Sequence, residues 1–255
     1  MIKVLLARLH QKYRTAPYPR IEPVLPDRFV GAPHINPDQC SSGCNKCSTM
    51  CPSRAISIDQ NAHVIDLGKC IFCGDCARAC PKAAIAFTKE YRLAAQSRND
   101  LMVSSTFALK KCALDRKMIS LFGRSLKLRQ VSAGGCNACE ADINVLGTPV
   151  FDWGRFGISV VASPRHADGL LITGPVTANM KAALLKTYEA VADPKVVVAV
   201  GACAISGGLF ADGPEQHNGI GSLLPVNLYI PGCPPHPYTI LDGLLRMLDR
   251  IHPGS

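Results

Sequence analysis

The sequence predicts two unlike units in one chain, a small cysteine-rich α+β unit near the N-terminus and a larger α/β unit built on a parallel sheet. Three observations carry this reading. Eight cysteines between residues 40 and 80 fall into two copies of one spacing. From about Leu126 onward, short apolar runs alternate with amphipathic stretches of helical length, as strands do when they lie parallel with helices on their faces. Four further cysteines follow the ends of those apolar runs, where open parallel sheets gather their ligands.

Composition narrows the class. A chain of 255 residues with 47% hydrophobic content suits packed domains rather than disorder. Every apolar stretch is broken by Gly, Pro or a charge well before the 18 or so residues a membrane span needs. Neither an apolar export segment nor a twin-arginine pair opens the chain, so the expected location is the cytosol. Thirteen cysteines in that reducing compartment argue for metal ligation or redox chemistry rather than disulfides. Twelve form three groups of four; Cys112 is left over and reads as a spare thiol without function. Residues 1–130 carry 21 Lys and Arg against 9 Asp and Glu, a net +12, whereas residues 131–255 carry 7 against 10, a net −3. Four thiolates around a four-iron cluster leave roughly −2 of charge, so part of the basic excess is compensation, and no nucleic-acid partner is expected.

In chain order, residues 1–37 form a basic helix and a Pro-rich arm. Ile2, Leu5, Leu6, Leu9 and Tyr13 recur at helical spacing with basic residues mostly between them. This suits a surface helix lying on a membrane-embedded partner or on headgroups, or one packed on its own domain. The arm reads as extended. Residues 38–92 contain an internal repeat: Cys44, Cys47, Cys51-Pro52 recur 29 residues later as Cys73, Cys76, Cys80-Pro81. Ala55 to Ile58 and His63 to Asp66 flank a short hairpin turn. So small a unit has too little apolar surface to fold alone, and its metal centres would serve as its core. Residues 93–125 are expected to be a helical connector. Residues 126–255 are expected to alternate, with strands at 126–131, 158–162, 169–173, 195–200 and 227–230 and helices at 140–146, 176–192 and 237–251.

Cys70-x2-Cys73-x2-Cys76-x3-Cys80-Pro81 is the bacterial ferredoxin run, in which three cysteines hold one 4Fe-4S cluster and the fourth holds the other. By this crossed logic Cys51, Cys70, Cys73 and Cys76 hold one cluster, and Cys40, Cys44, Cys47 and Cys80 the other. The first run departs from the pattern, because Cys40-x3-Cys44 is one residue longer. Its small residues, Gly43 above all, are expected to absorb the extra length, against the alternatives of a lost ligand or a shifted potential. Cys136, Cys139, Cys203 and Cys233 are more dispersed, and zinc would accept four thiolates as readily as iron. Two electron carriers in the same chain favour a third redox centre. The expected folds are therefore an α+β ferredoxin domain of bacterial two-cluster type and, behind it, an α/β flavodoxin-like parallel-sheet domain.

Four blocks, Gly135-Cys136-Asn137-Ala138-Cys139-Glu140, Ser163-Pro164-Arg165-His166-Ala167-Asp168, Gly201-Ala202-Cys203 and Pro231-Gly232-Cys233-Pro234-Pro235, occur in order. In them the chain resembles the small subunit of NiFe hydrogenases, closest to the membrane-associated branch that includes formate hydrogenlyase, and its relative in respiratory complex I. Tyr18-Pro19, Arg28-Phe29, Lys69 to Gly74, Glu90-Tyr91 and Phe107 to Leu109 resemble landmarks of the two-cluster ferredoxin-like subunit of the same complexes, so two subunits look fused. The resemblance implies that Cys136, Cys139, Cys203 and Cys233 bind a proximal 4Fe-4S cluster facing a NiFe centre on a separate large subunit. The chain would thus be an electron-transfer subunit, not catalytic alone, with three 4Fe-4S clusters and no nucleotide. Its partners would be that large subunit, further iron–sulfur and membrane-arm subunits, and a redox donor or acceptor. It would be held to the inner side of the membrane through those partners. The two-residue spacer Asn137-Ala138 is the hydrogenase spacing, where the complex I relative has adjacent cysteines; a complex I-like ferredoxin or quinone oxidoreductase is the alternative. Glu140 could relay protons at the large-subunit interface or simply place negative charge at a helix N-terminus. Arg165 and His166 could tune the cluster or meet the partner, or be surface residues. His217 and His236 have no partners at ligand spacing.

Overall fold

The computed structural model describes residues 2–41, 43–59, 62–109 and 112–251. The chain opens with α1 (Ile2–Gln11), none of whose residues is buried. Ile2, Leu5, Leu6 and Leu9 are 59–74% exposed, so this helix does not pack on the rest of the chain. The arm after it is anchored rather than loose. Tyr18 is buried, donates to Asp242 Oδ1 at 3.1 Å and packs against Tyr91 and Tyr238.

The cysteine-rich unit follows as β1 (Pro33–Ile35), α2 (Lys46–Thr49), β2 (Ile56–Asp59), β3 (Ala62–Asp66), α3 (Asp75–Ala79) and β4 (Ile85–Phe87). β2 and β3 form the expected antiparallel hairpin, whose turn residues Gln60 and Asn61 lie outside the described residues. β1 pairs antiparallel with β4, so the end of the arm is a strand of this unit.

The connector departs from expectation. Instead of one helical stretch it holds β5 (Met102–Val103), which adds to β3, and the short α4 (Arg116–Phe122), capped by Asp115 accepting from the Met118 amide at 2.9 Å. The physical reason is burial. Leu93, Ala95, Leu101 and Val103 turn into the interior between the two units, and extended chain reaches both where a helix would not. Ala95 forms an antiparallel bridge to Tyr229, with its amide 3.0 Å from the Tyr229 carbonyl and its own carbonyl accepting in return at 2.8 Å.

The C-terminal unit runs β6 (Leu126–Ser132), α5 (Ala138–Val145), β7 (Ile158–Val160), β8 (Gly169–Thr173), α6 (Ala178–Glu189), β9 (Val196–Val200), α7 (Ala202–Ser206), β10 (Leu228–Ile230) and α8 (Pro237–Met247). Its five strands are all parallel in the order β7-β6-β8-β9-β10. β8 and β9 are buried at every residue, as continuous apolar runs in a sheet covered on both faces should be. Alternation sorts them: Leu170, Ile172, Val197 and Ala199 face one way, Leu171, Val196, Val198 and Val200 the other. The bridge from Ala95 caps the exposed side of the edge strand β10.

The two units share an interior. The first face of the sheet belongs to one apolar cluster with Ile35, Ile56, Ile65 and Leu67 of the cysteine-rich unit, while the second packs on α5, α8, Tyr18 of the arm and Tyr91. The small unit thus covers part of a sheet face. Gly68 sits where a Cβ would lie 2.7 Å from Ile205 Cγ2, and its carbonyl accepts from Ser206 Oγ at 2.8 Å. Among the described residues no helix is long and apolar enough to cross a membrane.

Candidate metal centres

The sheet order places β7 and β8 on opposite sides of β6, a reversal of winding that opens a crevice at the carboxyl ends of the strands. Cys136 and Cys139 follow β6, Cys203 lies in the first turn of α7 after β9, and Cys233 follows β10. The fold brings these four together. Burial first, then Cys203, Glu140, Cys233 and Cys136 as neighbours, hold the Cys139 thiol far above its ordinary range. Burial, with Cys233, Cys136 and Glu140 behind it, pushes Cys203 up to about 11. Two glycines make room for sulfur. Gly201, at φ +89°, would place a Cβ 2.6 Å from Cys139 Sγ, and Gly208 one 2.9 Å from Cys203 Sγ. Cys136 and Cys233 are exposed, so the group opens to the surface on one side.

In the N-terminal unit each of two small cavities is lined by four cysteines, Cys40, Cys44, Cys47 and Cys80 in one and Cys51, Cys70, Cys73 and Cys76 in the other. Burial chiefly, with neighbouring thiols adding to it, pushes Cys70 up to about 12 and Cys76 up to about 11. The repeat is visible in the hydrogen bonds. Ala55 donates its amide to Cys51 Sγ and Ala84 to Cys80 Sγ, each at 3.2 Å. Although burial opposes it, the amides of residues 82–85 draw the Cys80 thiol down. Such amides stabilise a sulfur that has lost its proton.

Twelve thiols in three convergent groups fit iron–sulfur binding in the chemistry of their donor sets. Thiols crowded into one site, as Cys139 is with Cys203, Cys233 and Cys136, ionise together when positive charge stands among them, which a metal centre provides.

The other residues singled out by sequence separate clearly. Glu140 is buried in the first turn of α5, where its Oε1 accepts from Ser132 Oγ at 2.5 Å and Thr173 Oγ1 at 2.6 Å. Arg165 and His166 are not buried and lie on the turn after β7. His217 Nδ1 lies 2.9 Å from the Val176 carbonyl. His236 caps α8 and stacks on Tyr238. Cys112, left over from the three foursomes, is 1% exposed, lies 2.7 Å from Arg246 Nη1, and belongs to the network through which Arg246, Asp242 and Tyr18 tie the arm to α8. Sequence reasoning missed that network, because its members lie far apart in the chain. It also missed His63, which lines the Cys40 cavity and is separated from the cysteine runs by the hairpin.

A parallel-sheet unit presenting four cysteines at its crevice, joined to a unit with two further foursomes, defines an iron–sulfur subunit of an oxidoreductase. Comparison with known proteins makes this specific. Residues 136–247 match the family described as NADH ubiquinone oxidoreductase, 20 Kd subunit, and residues 32–81 match the 4Fe-4S dicluster domain. A probable membrane-bound hydrogenase subunit, mbhJ, of Pyrococcus furiosus is 40% identical over 53% of this chain and 81% of its own length. Formate hydrogenlyase subunit 7 of Escherichia coli is 40% identical over 62% of each chain. An NADH-quinone oxidoreductase subunit of Carboxydothermus hydrogenoformans is 43% identical over 46% of this chain and 71% of its own length. The chain belongs to this family of oxidoreductase subunits, joined to an N-terminal dicluster domain.

Proposed function

We propose that the chain is the electron-transfer subunit of a multisubunit NiFe hydrogenase, linking a redox partner to a NiFe site on a separate large subunit where two protons and two electrons interconvert with hydrogen. Each four-iron cluster supplies one-electron redox chemistry when bound. The ligand sets are Cys40, Cys44, Cys47 and Cys80; Cys51, Cys70, Cys73 and Cys76; and, for the proximal cluster, Cys136, Cys139, Cys203 and Cys233.

The observation that carries the reading is a shared cleft. Ile71 and Phe72, the spacer between Cys70 and Cys73, line one cavity with Cys233 and its flanking prolines. The Cys51 set therefore adjoins the C-terminal set, and the Cys40 set is the outer one. Exposure of Cys136 and Cys233 leaves the proximal site open toward a partner subunit. Glu140, buried beside Cys139, is the residue assigned to proton transfer at that interface, held by Ser132 and Thr173. The strand order, 2-1-3-4-5 when the C-terminal strands are numbered from β6, supports a flavodoxin-like class for this unit. The exposed apolar stripe of α1, flanked by Lys3, Arg8 and Lys12, supports peripheral attachment to a membrane-bound complex through partner subunits.

The 43% identity to an NADH-quinone oxidoreductase subunit favours a second reading, a complex I-like ferredoxin or quinone oxidoreductase. Purification of the chain with its partners separates the two. Under the first reading the complex turns over hydrogen, and the chain contains about twelve iron and twelve acid-labile sulfide atoms. Cys203→Ser then removes one paramagnetic resonance signal and abolishes turnover while the two ferredoxin signals survive. Retained turnover in that variant would sink the electron-path model.

A further inference from the structure

The two cysteine runs are closed differently. In the second, Cys70-x2-Cys73, the loop closes on itself, the Phe72 amide donating to Cys70 Sγ at 3.3 Å. The first, Cys40-x3-Cys44, is one residue longer; the Cys44 amide donates to the Ser41 carbonyl at 3.1 Å, and the loop is bridged from outside as well. His63 on β3, only 7% exposed, sets its Nε2 3.1 Å from the Cys44 carbonyl oxygen and its Nδ1 3.6 Å from Cys40 Sγ. A carbonyl oxygen only accepts, so Nε2 is the donor and that bond orients the ring. One side chain therefore spans both ends of the longer loop.

Packing gives no such hold at Gly43. It stands at φ +74°, and among the described residues no atom lies within 4 Å of where its Cβ would be. Glycine supplies the turn, but packing does not fix its place. The hairpin is built to deliver the ring: residues 63 and 65 share one face of β3, where His63 lines the Cys40 cavity and Ile65 the Cys51 cavity. By strand register the counterpart of His63, which faces Ile58 on β2, is Pro33, which faces Phe87, 29 residues after Ile58, on β4. The ring accompanies the longer loop and is absent from the shorter one.

We propose that His63 is a positioning residue that makes the Cys40-x3-Cys44 loop a working ligand loop, its Nε2 holding the Cys44 carbonyl while the buried ring stands against Cys40 Sγ and fixes where that sulfur sits. This rests on the reading of Cys40, Cys44, Cys47 and Cys80 as iron ligands. The test uses the full chain purified with its partners, comparing His63→Ala, His63→Gln, deletion of Ser42 to restore the two-residue spacing, and that deletion combined with His63→Ala. The readouts are iron and acid-labile sulfide per chain and a redox titration followed by paramagnetic resonance. His63→Ala is expected to lower iron from about twelve toward about eight and to erase or shift one ferredoxin signal. His63→Gln, which keeps a donor for the Cys44 carbonyl, is expected to restore most of it. In the Ser42 deletion, His63→Ala is expected to change nothing further. The C-terminal signal, unchanged throughout, reports a folded chain. Unaltered iron content, signal and potential in His63→Ala, or the same loss with Ser42 deleted, would overturn the role of His63. A parent chain lacking the iron would instead overturn the ligand reading beneath it.

Discussion

In the N-terminal unit the cysteines assigned as ligands are neighbours in sequence, grouped in runs with two or three residues between them, and three of the eight, Cys47, Cys70 and Cys76, are themselves members of the apolar interior. In the C-terminal unit the four assigned cysteines come from three separated strand ends, and of the four Cys139 alone packs, partly buried, against the apolar interior. Local spacing builds the first kind of site and long-range topology the second. On the proposed reading the difference is one of dependence: the small unit leans on its metal centres as well as on the sheet face it covers, whereas the sheet is held chiefly by its own buried apolar runs.

The largest expected effect tests that dependence directly. Removing iron with a chelator under reducing conditions is expected to abolish amide-exchange protection in β2, β3, α2 and α3 while β8 and β9 stay protected, because structural metal sites contribute on the order of 10 kcal/mol to small domains. Equal loss in both units would break the comparison. A smaller effect runs in the opposite direction. Leu171→Ala, at a fully buried position on β8, is expected to cost about 2–5 kcal/mol in denaturant unfolding while leaving the ferredoxin resonance signals in place. The smallest concerns an exposed tie between the units. Arg54 and Asp212 pair at 2.7 Å with side chains 70% and 64% exposed, so Arg54→Ala should shift stability by less than about 1 kcal/mol, read by thermal unfolding. A loss of several kcal/mol there would show that the units are held by surface charge rather than by the shared interior around Gly68 and Ile205.

How much was legible follows the same division. β8 and β9 could be read almost to the residue, because a strand buried on both faces needs an unbroken apolar run and little else mimics one. The connector could not. Leu93, Ala95 and Val103 lie in short apolar stretches without strand alternation, and they are extended only because two units lie within reach of them. The short helices carrying Cys47, Cys76 and Cys203 escaped notice because one turn leaves no periodicity. Cys112 read as spare because its partner Arg246 is on the last helix, where no local pattern points to it.

By itself the sequence determined the donor chemistry: twelve cysteines in three sets, two of them paired in crossed fashion by repeat spacing, and a parallel sheet to carry the third. Spacing suffices there because ligands a few residues apart converge through local turns whatever surrounds them. Only the tertiary structure decided which ferredoxin site adjoins the C-terminal one, where Glu140 and Cys112 find their partners, and what spans the longer Cys40 loop. Each of these depends on groups brought together across the chain by burial of a common interior, and proximity of that kind leaves no periodic trace in the order of residues.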